Sequence, residues 1–186
     1  MGFALGVAVT AVTVTIVVVV LLLTTGGSST PHRKRLPPLA KLPRLTQAYQ
    51  SKPIGVVGLI PQGWTARRGL GFVTLRSHDG DAVIVIQAEN NTLGTHALMV
   101  SALRVLTSRR AGLRPRLAAG KALGGLPANS RVIYTTDARR QSIRILVVGA
   151  RGRHIGYVLE AVTLRSAPLR DLEESQEVVN TLHLTG

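Results

Sequence analysis

The fold class is decided by residues 142–163, whose sequence is SIRILVVGARGRHIGYVLEAVT. Two apolar strands are predicted in it, Ser142–Gly149 and His154–Thr163, with a tight turn over Gly149–Arg153 between them. A turn this short joins antiparallel neighbours, because a parallel pair needs a crossover of about a dozen residues or more. The sequence therefore predicts a mostly antiparallel sheet.

Short apolar runs separated by turn residues extend this sheet toward the N-terminus. Further strands are predicted at Ile54–Ile60, Trp64–Arg68, Gly71–Ser77, Asp81–Glu89 and Arg131–Thr136. The Asp79-Gly80 pair favours a hairpin turn, because both residue types tolerate the positive φ that such turns require. In the strand after this turn every second residue is apolar, so one of its faces is predicted to lie in the core.

Two segments follow the helical period instead. The first is Thr92–Ala111, whose apolar face is Leu98, Ala102, Val105 and Leu106. The second is predicted to begin at the cap residue Ser166, with Pro168 in its first turn. Its first turns also hold Asp171, Glu173 and Glu174, near the positive end of the helix dipole. Its buried stripe is predicted to be Leu169, Leu172, Val179 and Leu182.

The order of elements is strands, helix, strands, helix. This order predicts an α+β fold, an α-β-α sandwich in which two helices cover a mostly antiparallel sheet. The single tryptophan, Trp64, follows a Pro-Gln-Gly turn and is interpreted as a core ring that packs the sheet against a helix. The predicted core-packing residues are Trp64, Leu98, Leu172, Val179 and Leu182.

The N-terminal segment Gly2–Leu23 contains no charged side chain. At about 1.5 Å per residue it is long enough to cross a hydrocarbon core of about 30 Å. The alternative is a cleaved signal peptide, which needs a basic region before a shorter apolar run and a small-residue exit. No Lys or Arg precedes this run, so residues 1–23 are predicted to be an uncleaved transmembrane anchor in contact with membrane lipid.

Residues 24–53 hold five of the nine prolines and a basic cluster, Arg33, Lys34 and Arg35. Proline fixes φ and removes a backbone donor, so this stretch is predicted to be a semi-extended linker rather than a helix or a central strand. The folded domain is then predicted to span residues 54–186 and to be monomeric. The positive-inside rule, applied to the basic cluster, places the domain in the cytoplasm.

The chain of 186 residues carries a net charge of +14 and no cysteine. The absence of cysteine excludes disulfides, thiolate metal sites and a cysteine nucleophile. Aromatic residues make up only 3% of the chain, which argues against base stacking and hence against a nucleic-acid partner. The candidates for contact with an anionic surface are Arg33, Lys34, Arg35, Arg109, Arg110, Arg151 and Arg153; a plain solvated basic surface is the alternative.

Motifs of catalysis and of ligand binding are absent from the sequence. There is no G-x-S-x-G, no P-loop, and no HxH or HExxH spacing among the five histidines. Asp79 and Asp81 are interpreted as turn residues, because two carboxylates fall short of a calcium loop. Glu160 is interpreted as an edge or solvent-facing residue. No catalytic, cofactor-binding or metal-binding residue is therefore predicted, and a spatially assembled enzyme site is left as the alternative.

A resemblance to a known family is carried by two stretches, residues 59–64 (LIPQGW) and the strand 156–160 followed by residues 172–182 (LEESQEVVNTL). Over about residues 54–184 the chain resembles the PsbP/Mog-like superfamily, and within it the actinobacterial LpqN/LpqT-type domains. The resemblance implies an α-β-α sandwich with a binding or assembly-supporting role and no shared catalytic residue. Many bacterial members act outside the cytoplasm, which favours an extracytoplasmic domain against the positive-inside rule.

The sequence thus predicts a membrane-anchored, non-catalytic binding or accessory domain. Its partner is expected to be a protein or an anionic component of the cell envelope. An enzyme acting on envelope substrates is the alternative.

Overall fold

The computed structural model describes residues 45–89, 93–108, 113–118, 122–137 and 139–185. Within them the strands are β1 Leu45–Ser51, β2 Val56–Pro61, β3 Thr65–Gly69, β4 Phe72–Arg76, β5 Ala82–Glu89, β6 Arg116–Leu117, β7 Ala122–Leu123, β8 Leu126–Thr136, β9 Ser142–Arg151, β10 Gly156–Leu164 and β11 His183–Leu184. The helices are α1 Thr95–Ser108 and α2 Leu169–Thr181, and a 3₁₀ turn spans Lys52–Ile54.

The strands form a large curled sheet and a smaller one. The large sheet has the order β3-β4-β5-β10-β9-β8-β6, with β7 also paired to β8, and the small sheet has the order β1-β2-β11. Every pairing among the described strands is antiparallel. The β9–β10 hairpin that the sequence predicts is present, with Arg151 paired to Gly156. Both of its strands lie in the interior of the large sheet.

The two helices cover opposite faces of the large sheet, which confirms the mixed α+β architecture. Helix α1 packs on β8, β9 and β10, while α2 packs on β2, β5 and β10. Strand β5 is buried on both faces: Ile84 and Ile86 belong to the core on the α2 side, and Val83 and Val85 to the core on the α1 side. The apolar residues predicted for one face of this strand are buried on that face. The residues between them are also apolar and are buried on the other face.

A close approach joins α1 to the sheet at Gly149. A Cβ atom placed on this residue would lie 2.5 Å from the carbonyl oxygen of Thr95 and 2.6 Å from the backbone nitrogen of Met99. Only glycine therefore lets the helix backbone come this near to β9.

The predicted boundary between linker and domain is too late. Strand β1 lies inside the segment assigned to the linker and pairs antiparallel with β2, and Tyr49 and Ser51 are buried. The proline argument applies to the earlier part of that segment, since β1 itself contains no proline. Ile54 belongs to the 3₁₀ turn, so the next strand starts two residues later than predicted.

The start and the buried face of α2 also differ from the prediction. Pro168 is the N-cap residue, and Ser166 does not cap the helix. The buried residues of the helix are Asp171, Glu174, Ser175, Val178 and Val179, whereas Leu169 is exposed and Leu172 only partly buried. Relative to the predicted stripe, the buried face is rotated toward the two acidic residues, Asp171 and Glu174.

Glu160 was predicted to face solvent, and this prediction is wrong. It lies in β10, between β5 and β9, and its relative exposure is 2%. Its neighbours across the sheet are Val85 and Val147, so the carboxyl is enclosed by apolar side chains.

The predicted anchor at residues 1–23 and the linker up to residue 44 lie outside the described residues. In the ranges that the structure describes, neither helix combines the length and hydrophobicity needed to cross a membrane.

Candidate functional site

One wall of the candidate site is the turn Ser77–Asp81 between β4 and β5. Oδ1 of Asp79 accepts a hydrogen bond from the Ser77 hydroxyl at 2.7 Å and from the backbone N–H of Asp81 at 3.1 Å. The N–H of Ala82 in turn donates to the Ser77 oxygen at 3.0 Å. Gly80 supplies the positive φ, +84°, that the turn requires. These bonds fix the Asp79 carboxylate at the end of the sheet.

A second wall is the first turn of α2. The N–H of Asp171 donates to the carbonyl of the cap residue Pro168 at 2.9 Å, which starts the helix. Asp171 and Glu174 follow on the buried face of the helix, and both line the same cleft as Asp79. The positive end of the helix dipole lies beside them and favours their negative charge.

The third wall is the connection between β2 and β3. The N–H of Trp64 closes the turn on the carbonyl of Pro61 at 3.2 Å, and Gly63 adopts a φ of +89°. The Trp64 indole N–H then donates to Oε2 of Glu174 at 2.8 Å, while Oε1 of Glu174 accepts from Nε of Arg170 at 2.6 Å. Both oxygens of Glu174 thus accept hydrogen bonds. Because its charge and polar atoms are satisfied in this way, Glu174 can lie on the buried face of α2.

The three walls enclose a cleft of about 630 Å³ at one end of the sandwich. Its lining comes from the segment Gln62–Trp64, the segment Ser77–Asp79, and the α2 residues Pro168, Arg170, Asp171 and Glu174. A cleft of this size accommodates a small ligand or a partner's side chains.

Three carboxylates meet in this region. One oxygen from each of Asp79, Asp81 and Asp171 lies within 4.8 Å of the other two. Asp79 is exposed, Asp81 half-buried and Asp171 buried, with a relative exposure of 5%. Oδ2 of Asp171 has no hydrogen-bond partner in the structure, although no solvent reaches it.

The environment drives the pKa values of the three carboxyls apart. Burial, together with the hydrogen bond to Asp79 and the charges of Asp79, Glu174 and Asp81, raises the pKa of Asp171 to about 7. Burial also acts to raise the pKa of Asp79, but hydrogen bonds from the Asp81 backbone, Ser77 and Asp171 outweigh it and lower that pKa. Burial and the charge of Asp79 raise the pKa of Asp81. The cluster can therefore share a proton between Asp79 and Asp171.

The predicted anionic-surface residues do not belong to this cleft. Arg151 and Arg153 lie at the β9–β10 turn, the opposite end of β10 from the residues that pair with the start of β5. The guanidinium of Arg151 donates to the carbonyl of Leu93 at 2.7 Å, and Arg153 is exposed. Arg109, Arg110, Arg33, Lys34 and Arg35 lie outside the described residues.

Most of the predicted core-packing residues are buried, and Trp64 has a second structural role as well. The relative exposures of Trp64, Leu98, Val179 and Leu182 are 3%, 1%, 8% and 2%, while Leu172 is partly buried. Trp64 belongs to the core on the α2 side and also lines the cleft. The ring is therefore both a core residue and part of the cleft wall.

Sequence reasoning missed Asp171 and Glu174 as site residues. One signal was present: Asp171, Glu174, Ser175, Val178, Val179 and Leu182 follow the spacing of a single helix face. Extending the apolar face N-terminally along this register would have placed both acids against the core.

No protein-family profile matches the sequence, and no curated protein matches it. Solved structures of other proteins resemble the fold, and the following three are among them. The Ran-binding protein Mog1p of Saccharomyces cerevisiae matches with a TM-score of 0.53 and 9% identity, over 74% of this chain and 94% of that chain.

LpqN, involved in cell envelope biogenesis of Mycobacterium tuberculosis, matches with a TM-score of 0.52 and 11% identity, over 75% of this chain and 90% of that chain. Cyanobacterial PsbP (CyanoP) from Synechocystis sp. PCC 6803 matches with a TM-score of 0.52 and 12% identity, over 80% of this chain and 98% of that chain. The class of fold is thus PsbP/Mog1-like, which confirms what the sequence resemblance implies about architecture. At these identities the similarity shows the fold alone.

Proposed function

We propose that the chain is a non-catalytic binding or accessory domain, held at a membrane by the predicted helix at residues 1–23, and that it engages a protein partner through the cleft. The observation that carries this proposal is the preformed cleft itself. Its walls come from three separate segments, and the buried hydrogen bond that the Trp64 indole donates to Glu174 ties two of them together. A rigid concave site lowers the entropic cost of binding.

The charge distribution supports a partner with basic groups at the cleft. The chain as a whole carries a net charge of +14, yet Asp79, Asp81, Asp171 and Glu174 lie together at this one place. An acidic site on a basic protein favours cationic groups and disfavours anionic ones. An anionic envelope component would instead meet the arginine-bearing surface, such as the end of the sheet that holds Arg153.

The structural neighbours support a binding role by analogy. One is described as Ran-binding and another as involved in cell envelope biogenesis. Because fold does not determine function, these descriptions raise the expectation of a binding or accessory role without naming a partner for this chain. An extracytoplasmic position of the domain is part of the proposal.

A photo-crosslinking experiment tests the proposal in the native membrane. A photoreactive amino acid is placed at Gln62, which is exposed at the cleft, and in a control at Glu173, which is exposed on α2 but does not line the cleft. We expect a discrete crosslinked partner from position 62 that is lost with the charge reversal Asp79→Lys. Equal crosslinking at both positions, or none at position 62, would refute the cleft as the binding site.

A second candidate function is favoured by one observation, the Asp79–Asp171 pair. Two carboxyls whose pKa values are driven apart in a cleft are the arrangement that supplies a general acid and a base. This candidate is an enzyme acting on envelope substrates. Breakdown of a cell-wall preparation by the wild type, but not by Asp171→Asn, would support it; equal breakdown by both proteins would exclude this role for the pair.

A further inference from the structure

Strand β3, Thr65–Gly69, forms one end of the large sheet, and among the described strands it pairs only with β4. Its first four residues are all exposed. Only two residues separate β3 from β4, so the closing pair Gly69–Phe72 exchanges both backbone hydrogen bonds, and bonded pairs alternate from there. The N–H and C=O groups of Ala66 and Arg68 therefore point away from β4. No backbone hydrogen bond from the described residues reaches them on that side.

The hairpin that carries this open edge is held at both ends. At the turn, the carbonyl of Gly71 accepts a hydrogen bond from the N–H of Ala88 in β5 at 2.9 Å. The Phe72 ring lies over Gly69, in the space that a side chain at that position would occupy, and an aromatic ring over an edge glycine stabilises strand pairing. At the other end, β3 follows directly on Trp64, which is buried in the core. A strand fixed in this way presents its outer hydrogen-bonding groups at little cost in ordering.

The side chains beside the open edge are cationic on both faces. Arg68 pairs with Val73, whose side chain belongs to the core on the α2 side, so Arg68 lies on that face of the sheet and Arg67 on the other. In the part of the chain that the structure describes, neither arginine forms an ion pair with a carboxylate. The edge thus presents one unpaired positive charge on each face.

Charge disfavours two possible occupants of this edge. A second copy of the chain, paired through its own β3, would bring the arginines of the two copies together, and like charges opposite each other destabilise a strand pair. The N-terminal part of the chain itself cannot supply the missing carboxylates, because its first acidic residue is Asp79. The charges therefore favour a strand that comes from another protein.

We propose that β3 is a docking edge for an extended segment of a partner protein that carries two adjacent acidic residues. Such a segment adds one strand to the large sheet, and its backbone pairs with the open groups of Ala66 and Arg68. Neighbouring residues of a strand point to opposite faces, so two consecutive carboxylates meet Arg67 on one face and Arg68 on the other. The acidic cleft shares no residue with β3 and disfavours such a segment, so this inference does not rest on the proposed function.

The competing explanation is that the two arginines only protect an exposed edge from aggregation, as charged residues on edge strands commonly do. Binding of the peptide fluorescein-Thr-Val-Glu-Glu-Val-Thr-amide to the full-length protein in detergent micelles, followed by fluorescence anisotropy, separates the two explanations. We expect saturable binding that weakens at least about fivefold when both glutamates of the peptide are replaced by glutamine.

Two double variants test where the peptide binds. Arg67→Ser combined with Arg68→Ser should weaken binding of the glutamate peptide at least about fivefold. Arg114→Ser combined with Arg116→Ser is the matched control, because it also removes two exposed arginines, at the opposite end of the strand order. The control should leave the affinity within about twofold of the wild type, since distant surface charges are screened by salt.

Backbone pairing has a signature of its own. N-methylation of alternate peptide residues blocks one edge of the added strand, so methylation in one register should abolish binding and methylation in the other should leave it intact. Ala66→Pro removes a donor that points away from β4 and spares the hydrogen bonds within the hairpin, so it should weaken binding at least about fivefold. Unchanged Trp64 fluorescence checks its folding, and the peptide variants decide the question even if Ala66→Pro does not fold.

Four results would overturn the proposal. Absence of saturable binding would leave Arg67 and Arg68 with the protective role alone. Equal binding of the glutamate and glutamine peptides would show that the edge does not select acidic residues. Equal losses in the two double variants would indicate a general basic surface, and tolerance of N-methylation in both registers would exclude strand addition.

Discussion

The indole N–H of Trp64 donates to Oε2 of Glu174 at 2.8 Å, across 110 residues of sequence. Both residues are buried, and Glu174 accepts a second bond from Arg170. This contact joins the β2–β3 connection to the start of α2, and it gives one wall of the cleft a polar support inside the core. The Trp64 ring therefore contributes both to the cleft and to the core on the α2 side.

Replacement of Trp64 tests this double role. Trp64→Ala removes a fully packed ring and should lower the free energy of unfolding by about 3–5 kcal/mol. Trp64→Phe keeps most of the apolar contact but leaves the buried Glu174 oxygen without its donor, so a loss of about 1–3 kcal/mol is expected. Urea unfolding measures both, and Leu70→Ala, at a fully exposed position, serves as the control with a change within about 0.5 kcal/mol. A Trp64→Ala protein as stable as the wild type would show that the ring is not a core residue.

Glu160 predicts a specific dependence of stability on pH. Burial raises the pKa of its carboxyl from 4.5 to about 7, so the folded state holds this proton more tightly than the unfolded state does. Stability from this group is full below about pH 4.5 and is lost as the pH rises toward 7, by an amount on the order of 3 kcal/mol. In Glu160→Gln the part of the decline that comes from Glu160 should disappear.

The measurement is urea unfolding of both proteins at several pH values between 4.5 and 8, with Glu173→Gln as a control at an exposed site. Other carboxyls with raised pKa values, such as Asp171 and Glu89, contribute equally to both proteins and cancel in the comparison. If the wild type and Glu160→Gln lose stability in parallel, Glu160 does not titrate in this range.

Gly149 predicts a steric effect at the contact between β9 and α1. Gly149→Ala places a methyl group against the backbone of Thr95 and Met99, which cannot yield as a flexible side chain can. We expect a loss of about 1–3 kcal/mol, as for overpacking in a core. Gly94→Ser is the matched control, because that position precedes the same helix, has open space around it, and suits a serine cap. Equal stability of the two variants would mean that α1 can shift away from the sheet.

The position of β1 predicts where the independent domain begins. A fragment of residues 45–186 should fold cooperatively, whereas residues 52–186 lack β1 and leave the edge of β2 unpaired. The shorter fragment also loses Tyr49, whose ring packs on Gly58. Exposed strand edges promote association, so it should elute as an aggregate in size-exclusion chromatography. A monomeric, cooperatively unfolding 52–186 fragment would contradict this boundary.

The N-terminal segment predicts how the chain behaves on extraction. If Gly2–Leu23 spans the membrane and is retained, the protein should resist extraction by alkaline carbonate and enter the detergent phase, with an intact mass that includes the segment. Fragment 45–186 is the control and should be released without detergent. A mature chain that starts near residue 28 would identify a cleaved signal peptide.

The parts of the fold that were predictable are those that local pattern decides. Tight turns determine the β9–β10 hairpin, and the short apolar run after the Asp79-Gly80 turn determines β5, because neither signal depends on distant partners. Strand β1 was missed because its stability comes from pairing with β2, and its polar residues show no strong alternation. The two-residue strands β6, β7 and β11 likewise exist only through their pairing partners.

The candidate site was not predictable from local pattern. Asp79 and Asp81 satisfy ordinary turn chemistry, and Asp171 is separated from them by about half of the chain. What brings them together is the packing of α2 on β2 and β5, and the orientation of that helix depends on the contact between Trp64 and Glu174. Glu160 was misassigned for a similar reason, since the helix that covers its face of the sheet is remote in sequence.

The edge position of β1 has a mechanical consequence. Leu45 pairs with Pro61, so the chain enters β1 at the same end at which it leaves β2 for the large sheet. A pull on the preceding chain would therefore load the β1–β2 hydrogen bonds one after another from that end, rather than all at once. Such a strand separates from β2 under small forces, while the large sheet stays folded. Force applied through the preceding chain would therefore first separate Leu45 from the core and only later Tyr49.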